Sequence, residues 1–299
     1  MKKAFIYLHL SVLLAGFTGV FGRAIEINAA LLTWYRLLFS AIIIVLIMTF
    51  LGKMRKLKTG DILRISFAGF LLGLHWVFFY ASIKYANISV GVVCFSLTSF
   101  FTALIEPVMN RRSYEISELV LSGITLAGIA LIFGFDATYR FGIMLGVISS
   151  LIVAFYTILN KRLTKEFDSQ IITTYNMIGG FIGISVVLPV FLWIAPGASL
   201  IPSVMDLVYL LILAGFCTVL LYLLVTEAMQ TISAFTVNLS FSLEPLYSIA
   251  LAIIIYKENT ELSAAFYFGL ALIVLSVVLQ MYRVMQQRRN LPDAINQVS

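Results

Sequence analysis

Residues 233–256 read SAFTVNLSFSLEPLYSIALAIIIY, and this stretch decides the class of fold. Glu244 is its only charged residue, and most of the other side chains are apolar. A helix of about 20 mostly apolar residues spans about 30 Å of hydrocarbon. Because lipid offers no partner to backbone polar groups, such a segment satisfies its own N–H and C=O groups as an α-helix. The stretch therefore predicts a membrane-spanning helix with an acid near its middle.

The composition of the whole chain extends this interpretation. Of its 299 residues, 61% are hydrophobic and 11% are charged, against roughly 25% charged in an average soluble domain. The mean hydropathy is +1.03, so too little polar surface is available to coat a compact protein in water. Cys94 and Cys217 both lie in long apolar stretches, which excludes a disulfide framework and a cysteine-rich zinc site. We predict a membrane protein without a metal or a cofactor.

Ten apolar stretches are long enough to cross the membrane. Their continuous hydrophobicity fits helices and not the short alternating strands of a β-barrel, so the predicted class is an all-α polytopic membrane protein. The predicted spans are Ala4–Gly22, Ala30–Leu51, Leu63–Ile83, Ser89–Val108, Glu118–Phe135, Phe141–Leu159, Ile171–Ile194, Met205–Met229, Ser233–Tyr256 and Leu262–Met285.

The basic residues predict the orientation of the chain. With the N-terminus in the cytoplasm, fifteen Lys and Arg residues lie on the inner side, four lie on the outer side, and Arg36 lies within a span. This asymmetry predicts a multi-pass protein of the cell (inner or cytoplasmic) membrane with both termini cytoplasmic. Because the basic residues form short clusters between spans, the net charge of +6 does not indicate a nucleic-acid partner. A signal peptide is the alternative for the first span, although no good small-residue cleavage site precedes Arg23.

Several landmarks recur 139 to 144 residues apart along the chain. We interpret residues 1–135 and 140–285 as two five-helix repeats, followed by a cytoplasmic tail, 286–299, that is predicted to be disordered. Because five is odd, the second repeat enters the membrane from the opposite face, which is the inverted arrangement of many secondary transporters. The paired landmarks are Arg23 and Arg162, Tyr80 and Tyr222, Ser89 and Ser233, and Glu115 and Glu258.

This layout and a few short motifs together resemble the EamA family of the drug/metabolite transporter superfamily. The motifs are Trp34-Tyr35-Arg36, Ser89 and Ser233 at the start of their spans, Leu243-Glu244-Pro245, and Lys257-Glu258. The resemblance covers about residues 4 to 285 and implies a ten-helix carrier. It also implies a central cavity lined mainly by the first four helices of each half, and often export of amino acids or other small metabolites. Thr102 stands roughly where the family usually has the proline that matches Pro245.

Glu244 is the leading site candidate. It lies eleven residues into a span of 24, too deep for a short carboxylate to reach water by bending outward. Ionisable groups within spans cost about 2.5–3.5 kcal/mol at a helix centre and are functional candidates by default. We expect Glu244 to face a water-accessible path and to exchange protons during transport. One 120° sector of this helix carries Ser233, Thr236, Ser240, Glu244, Tyr247 and Ser248.

Pro245 predicts a break in the same helix. Proline has no N–H, so the carbonyl of Phe241 loses its helical partner and can point at a ligand, water or ion. A broken helix at the midplane is a usual place for a transporter site. The alternative is that Pro245 only bends the helix and that Glu244 is a neutral acid bonded to a neighbouring helix.

Three more ionisable residues lie within spans. Arg36 either reaches the outer headgroups or faces inward as counter-charge for a carboxylate ligand or for an acid of the cavity; the family resemblance favours the inward position. Glu106 is predicted to form a cytoplasmic salt bridge, since Arg111 is only five residues away. Glu227 is predicted to reach water at the cytoplasmic end of its span.

Neutral side chains complete the predicted site, although packing within the membrane is the alternative for each. Aromatic rings with polar tips suit flat or amphipathic substrates. The remaining candidates for substrate binding or coupling are His75, Trp76, Phe79, Tyr80, Ser99, Tyr175, Asn176, Tyr222 and Ser240. Three Gly-x-x-x-Gly motifs, starting at Gly69, Gly142 and Gly179, predict close helix approach within one chain or between two, so a homodimer is one option.

These observations favour a secondary transporter that moves a small-molecule substrate across the lipid bilayer by alternating access. The alternative is a passive channel or facilitator. An intramembrane enzyme fits less well, because His9 and His75 are isolated in the sequence and no aspartate lies deep in a span. The sequence also lacks a phosphate-binding G-x-x-x-x-G-K-[ST] loop, so ion or solute gradients would drive any transport.

Overall fold

The computed structural model describes residues 2–133, 139–194, 199–257 and 264–289, and every regular element in these ranges is a helix. The predicted all-α class is confirmed. The elements are α1 (Lys2–Ala24), α2 (Ala29–Phe50), α3 (Thr59–Tyr85), α4 (Ile88–Phe95), α5 (Leu97–Asn110), α6 (Ile116–Phe133), α7 (Arg140–Leu163), α8 (Ser169–Ile194), α9 (Val204–Ala214), a π-helical turn (Gly215–Leu220), α10 (Leu221–Met229), α11 (Ala234–Phe241), α12 (Glu244–Tyr256) and α13 (Ala264–Arg289).

These helices occupy the ten predicted positions in the chain. Within the described residues, eight helical segments are long and apolar enough to cross a membrane, and shorter apolar helices at Ile116–Leu131 and Tyr267–Gln280 take the fifth and tenth positions. The predicted tail needs one correction, because α13 continues to Arg289 and so includes residues 286–289. Residues 290–299 lie outside the described part of the chain, as do the predicted span ends at 134–135 and 262–263.

The fourth and ninth spans are interrupted at equivalent points. In each span an eight-residue helix ends, a short break follows, and a second helix begins. Each second helix is followed by a C-cap residue with left-handed backbone, Arg111 (φ 50°) after α5 and Lys257 (φ 56°) after α12. The helix caps, the breaks and these left-handed residues all correspond at an offset of 146 residues, which aligns the two halves more closely than the sequence landmarks do. The aligned pairs are Asn87 and Ser233, Ser96 and Ser242, and Arg111 and Lys257.

This alignment corrects two sequence expectations. Asn87, and not Ser89, starts the fourth span, because its side chain accepts a hydrogen bond from the N–H of Val90 at 2.8 Å as the helix N-cap. At the same offset Ser99, and not Thr102, corresponds to Pro245. The distance between matching residues in the two halves varies by a few residues along the sequence, because the connecting loops of the two halves differ in length. Landmarks taken from the sequence alone therefore pair some positions incorrectly.

The glycine motifs bring helices of this one chain together. A Cβ added at Gly69 in α3 would overlap the backbone of Asn176 in α8, and one added at Gly179 would overlap Ser66. A Cβ at Gly146 in α7 would lie 2.6 Å from the Cβ of Cys94. Of the two options left open by the sequence, the structure therefore supports packing within the chain.

Gly69→Ala should lower the free energy of unfolding by about 1–3 kcal/mol, because the added methyl group forces α3 and α8 apart. Thermal unfolding of the purified protein in detergent measures this change. Gly123→Ala is the matched control, since no heavy atom lies within 4 Å of a Cβ built at this position in α6, and it should leave the melting temperature unchanged or slightly raised. Equal melting temperatures for the two variants would contradict the close contact of α3 with α8.

Candidate functional site

A small cavity, the central cavity, lies between the two halves of the chain. Its volume is about 30 Å³, enough for water-sized molecules but not for a metabolite. A metabolite therefore does not fit in the cavity in this arrangement of the halves. Helices α1 to α4 of the first half and α10 to α12 of the second half supply its walls. The lining residues are Ala15, Thr18, Arg36, His75, Trp76, Phe79, Phe95, Leu221, Tyr222, Phe241 and Glu244.

Glu244 lines this cavity at the break of the ninth span. It is the first residue of α12, and Pro245 follows at a position where a helix tolerates the missing N–H. The proline thus starts a new helix after the break instead of bending a continuous one. The side chain of Glu244 is 4% exposed, and no hydrogen bond or ion pair to its carboxyl group exists among the described residues. A buried acid without a protein partner is costly, which is a reason to expect a functional role.

The two helix breaks contribute matching aromatic residues. Phe95 is the last residue of α4 and Phe241 the last residue of α11, and both line the cavity. Their rings meet edge to face, with centroids 6.3 Å apart. The breaks of the fourth and ninth spans therefore meet at the central cavity.

Arg36 faces inward and is 1% exposed. Its Nε donates to Thr218 Oγ1 at 2.7 Å, Nη1 donates to the Tyr80 hydroxyl at 2.6 Å, and Nη2 donates to the Cys217 carbonyl at 2.8 Å. The guanidinium carbon also lies 3.7 Å from the centroid of the Trp76 ring, within the range of a cation–π contact. Arg36 consequently does not reach the lipid headgroups, and it lies with Glu244 in the wall of the central cavity.

The π-helical turn explains how Arg36 is held. An α-helix uses its backbone carbonyls internally, but a π-turn changes that pattern locally and is frequent at functional sites. Here the Thr218 hydroxyl donates to the Leu213 carbonyl at 2.8 Å while accepting from Arg36. Sequence reasoning missed this turn. The one available signal was Gly215 with Thr218 in an otherwise apolar span, since threonine can bond back to the preceding turn.

His75 is fixed in the cavity wall by α7. Its Nδ1 lies 2.7 Å from Ser149 Oγ and 3.1 Å from the Ser149 carbonyl oxygen, and Ser149 Oγ donates to the His75 carbonyl at 3.0 Å. Its ring also packs near Phe95, with centroids 5.4 Å apart. Next to it, Trp76 meets Tyr222 edge to face at 5.5 Å, so α3 and α10 present one continuous aromatic wall.

The first span supplies Ala15 and Thr18, which sequence reasoning also missed. Together with Ser11 they follow the i, i+4, i+7 spacing of one helix face. Small and weakly polar residues on a common face were the signal that could have identified this wall. Tyr80 lies behind the lining, where it accepts a hydrogen bond from Arg36 and packs against the ring of Phe79.

Four other predicted residues lie away from the central cavity, which corrects the expectation for them. The hydroxyls of Ser99 and Ser240 donate to the carbonyls of Ser96 and Thr236, respectively. Tyr175 donates to the Arg55 carbonyl at 3.0 Å. Asn176 donates to Asn160 of α7 at 2.9 Å, and its backbone packs against Gly69 of α3. Helix packing and hydrogen bonds to nearby backbone determine where these four side chains point. Neither can be predicted from the pattern of residues along one helix.

The two remaining acids lie near the ends of their spans. Glu106 is 3.5 Å from Arg112; the partner is Arg112 and not Arg111, because the chain reverses at the left-handed Arg111. Glu227 accepts a hydrogen bond from Ser169 at 2.7 Å and lines a separate cavity of about 480 Å³.

Polar contacts join the two halves near both ends of the helices. Arg64 of α3 donates two hydrogen bonds of 2.8 Å to Glu166, in the α7–α8 connection, and these bonds hold the pKa of Glu166 below its usual range. At the other end, the N–H of Glu26 donates to Asp206 at 3.0 Å and Tyr35 donates to the Leu200 carbonyl at 3.0 Å. The two halves are therefore bonded to each other near both ends of the helices.

Comparisons with known proteins identify the family of this chain. One solved crystal structure shares 16% sequence identity, covers 92% of this chain and 96% of its own, and superposes with a TM-score of 0.67, which shows a common fold. No curated protein matches the sequence. A profile of the EamA-like transporter family matches residues 2–134 and 140–282. The chain therefore belongs to the EamA-like transporter family, within the drug/metabolite transporter superfamily, as a multi-pass membrane protein built from two repeats.

Proposed function

We propose that this protein is a secondary transporter that moves a small organic molecule by alternating access, with the central cavity as its substrate site. The carboxyl group of Glu244 carries the proposal: it is buried between the two halves, at a helix break, without a protein partner. Proton exchange at Glu244 couples the movement of the substrate to the proton gradient. The other candidates that line the cavity, Arg36, His75, Trp76, Phe79 and Tyr222, bind or orient the substrate.

Rocking of one half against the other opens the cavity to each side in turn. The proposed rocking units are residues 1–135 and 140–285. Contacts such as Arg64 with Glu166 at one end and Glu26 with Asp206 at the other would break alternately. The breaks in the fourth and ninth spans support this mechanism, because interrupted helices at the repeat interface are where many transporters bind substrates.

The charge asymmetry supports placement in the cytoplasmic membrane with both termini inside. Single cysteines introduced at Lys53 and Ser203, in a background without Cys94 and Cys217, test this orientation. A membrane-impermeant maleimide added outside intact cells should label position 203 and not position 53. The glycine motifs give no support for a homodimer, since each packs within the chain.

Exchange assays in sealed liposomes test the transport proposal. Purified protein should exchange at least one labelled compound from a panel of amino acids and related small metabolites at a saturable rate. Counterflow, in which unlabelled substrate inside accelerates uptake of the label, is expected of a carrier. Flux that rises linearly with concentration would instead favour a passive channel, and protein-free liposomes provide the background.

A further inference from the structure

We propose that the substrate carries a protonated amine, which Glu244 and His75 receive together in the central cavity. The inference rests on the proposed function, because it takes the central cavity as the substrate site. The polar groups of the cavity wall differ in the hydrogen-bonding capacity that the protein leaves unused. The groups that decide which ligand fits are the carboxylate of Glu244, the imidazole of His75 and the guanidinium of Arg36.

Glu244 offers acceptors that the protein does not use. An ionised carboxylate has two oxygens and accepts about four hydrogen bonds, and none of these sites is filled by a donor from the described residues. Burial without a partner strongly disfavours the free carboxylate. A cationic donor in the cavity would therefore remove an existing penalty, whereas an anionic ligand would increase it.

His75 offers a second acceptor. Its Nδ1 lies 3.1 Å from the Ser149 carbonyl oxygen, which can only accept a hydrogen bond, so Nδ1 carries the proton. The Ser149 hydroxyl donates in turn to the His75 carbonyl and can accept from the same Nδ1. In the neutral imidazole this leaves Nε2 as an acceptor. No group among the described residues donates to Nε2.

Arg36 is a poor anchor for a substrate carboxylate in this arrangement. Three of its five N–H groups already donate to Thr218, Tyr80 and the Cys217 carbonyl, and one face of the guanidinium is covered by Trp76. A bidentate pair with a carboxylate needs two parallel N–H groups free on one edge. The protein thus fills most of the hydrogen-bonding capacity of the Arg36 guanidinium, whereas it fills none of that of the Glu244 carboxylate.

The rest of the cavity wall suits an amine with an apolar body. Rings of Trp76, Phe79, Phe95, Tyr222 and Phe241 surround the acceptors. Aromatic faces attract organic cations and cover apolar groups. The cavity volume of about 30 Å³ matches an ammonium head in size, and the body of the substrate requires the halves to move apart.

Trp76 provides a direct test, because it lines the cavity. The chain has three tryptophans, and a Trp34→Phe/Trp193→Phe background leaves Trp76 as the single reporter. Phenethylamine and phenylacetate share a phenyl body but carry opposite charges. We expect phenethylamine to change the emission of Trp76 saturably, with a Kd at least about tenfold lower than that of phenylacetate. The melting temperature of the unaltered protein, which a bound ligand raises, provides the same comparison without the tryptophan replacements.

Variants assign the effect to the two acceptors. Glu244→Gln should weaken phenethylamine binding at least about tenfold, as expected for loss of a charge-assisted hydrogen bond, and His75→Phe should weaken it to a smaller extent. Glu106→Gln is the control, since Glu106 contacts Arg112 outside the cavity, and should bind like the unaltered protein. Binding of neither probe, tighter binding of phenylacetate, or unchanged binding in Glu244→Gln would overturn the inference. Amine binding without saturable exchange in liposomes would contradict the transport proposal, and the central cavity would then stand as an amine-binding site only.

Discussion

Glu244→Gln should abolish proton-driven accumulation of substrate, or lower its rate about 10- to 100-fold, while leaving the protein folded. Glutamine has nearly the same shape as glutamic acid but does not ionise, so the proton-exchanging group is lost. Folding should be preserved because no described residue donates a hydrogen bond to this carboxyl group, and the substitution therefore leaves no protein donor unsatisfied. Uptake into liposomes under an imposed pH gradient measures the effect, with any compound that the unaltered protein exchanges.

Glu106→Gln supplies the matched control for this experiment. The same substitution is made in a buried acid of the fourth span, but Glu106 lies beside Arg112 and accepts from Asn110 at 3.4 Å, away from the central cavity. It should retain pH-dependent uptake even where its stability falls. Normal pH dependence in Glu244→Gln, with an unchanged melting temperature, would remove Glu244 from the mechanism.

The sequence was informative where a single helix carries the whole signal. Hydrophobic length predicted the ten spans. The missing N–H of Pro245 predicted a break beside Glu244, and the structure ends α11 at Phe241 and begins α12 at Glu244. Both features depend on properties of the local chain, which need no knowledge of neighbouring helices.

The sequence was less informative where two helices decide the outcome. Tyr175 and Asn176 lie in a span predicted to line the cavity, yet the glycines of α3 draw that part of α8 into a packed interface. The position of Arg36 depends on acceptors 181 and 182 residues further along the chain, and both lie in the π-helical turn. Pairings of this kind are fixed by the tertiary structure, so a pattern within one span cannot predict them.

Arg36 also links the two halves of the chain, and this gives the second large expected effect. Arg36→Lys should lower the melting temperature by at least about 5 °C. Lysine keeps the charge but presents a single ammonium group, so it cannot reach Thr218, Tyr80 and the Cys217 carbonyl with the geometry of the planar fork. Each buried group left without its partner costs about 1–3 kcal/mol. In proteins of about 150–250 residues, each kcal/mol of lost stability lowers the melting temperature by about 2–4 °C.

Arg64→Lys is the matched control. It separates the loss of the buried hydrogen bonds of the Arg36 guanidinium from the general effect of replacing an arginine by a lysine. Arg64 also donates two hydrogen bonds across the halves, but its side chain is half exposed, and exposed ion pairs contribute about 0–1 kcal/mol. The melting temperature of Arg64→Lys should therefore fall by much less.

Arg36→Lys should in addition speed the labelling of the Cys217 thiol by N-ethylmaleimide in a Cys94→Ala background, because the hydrogen bonds from Arg36 to the π-helical turn are lost. Similar melting temperatures for the two lysine variants, with Cys217 still protected, would mean that Arg36 does not hold the halves together.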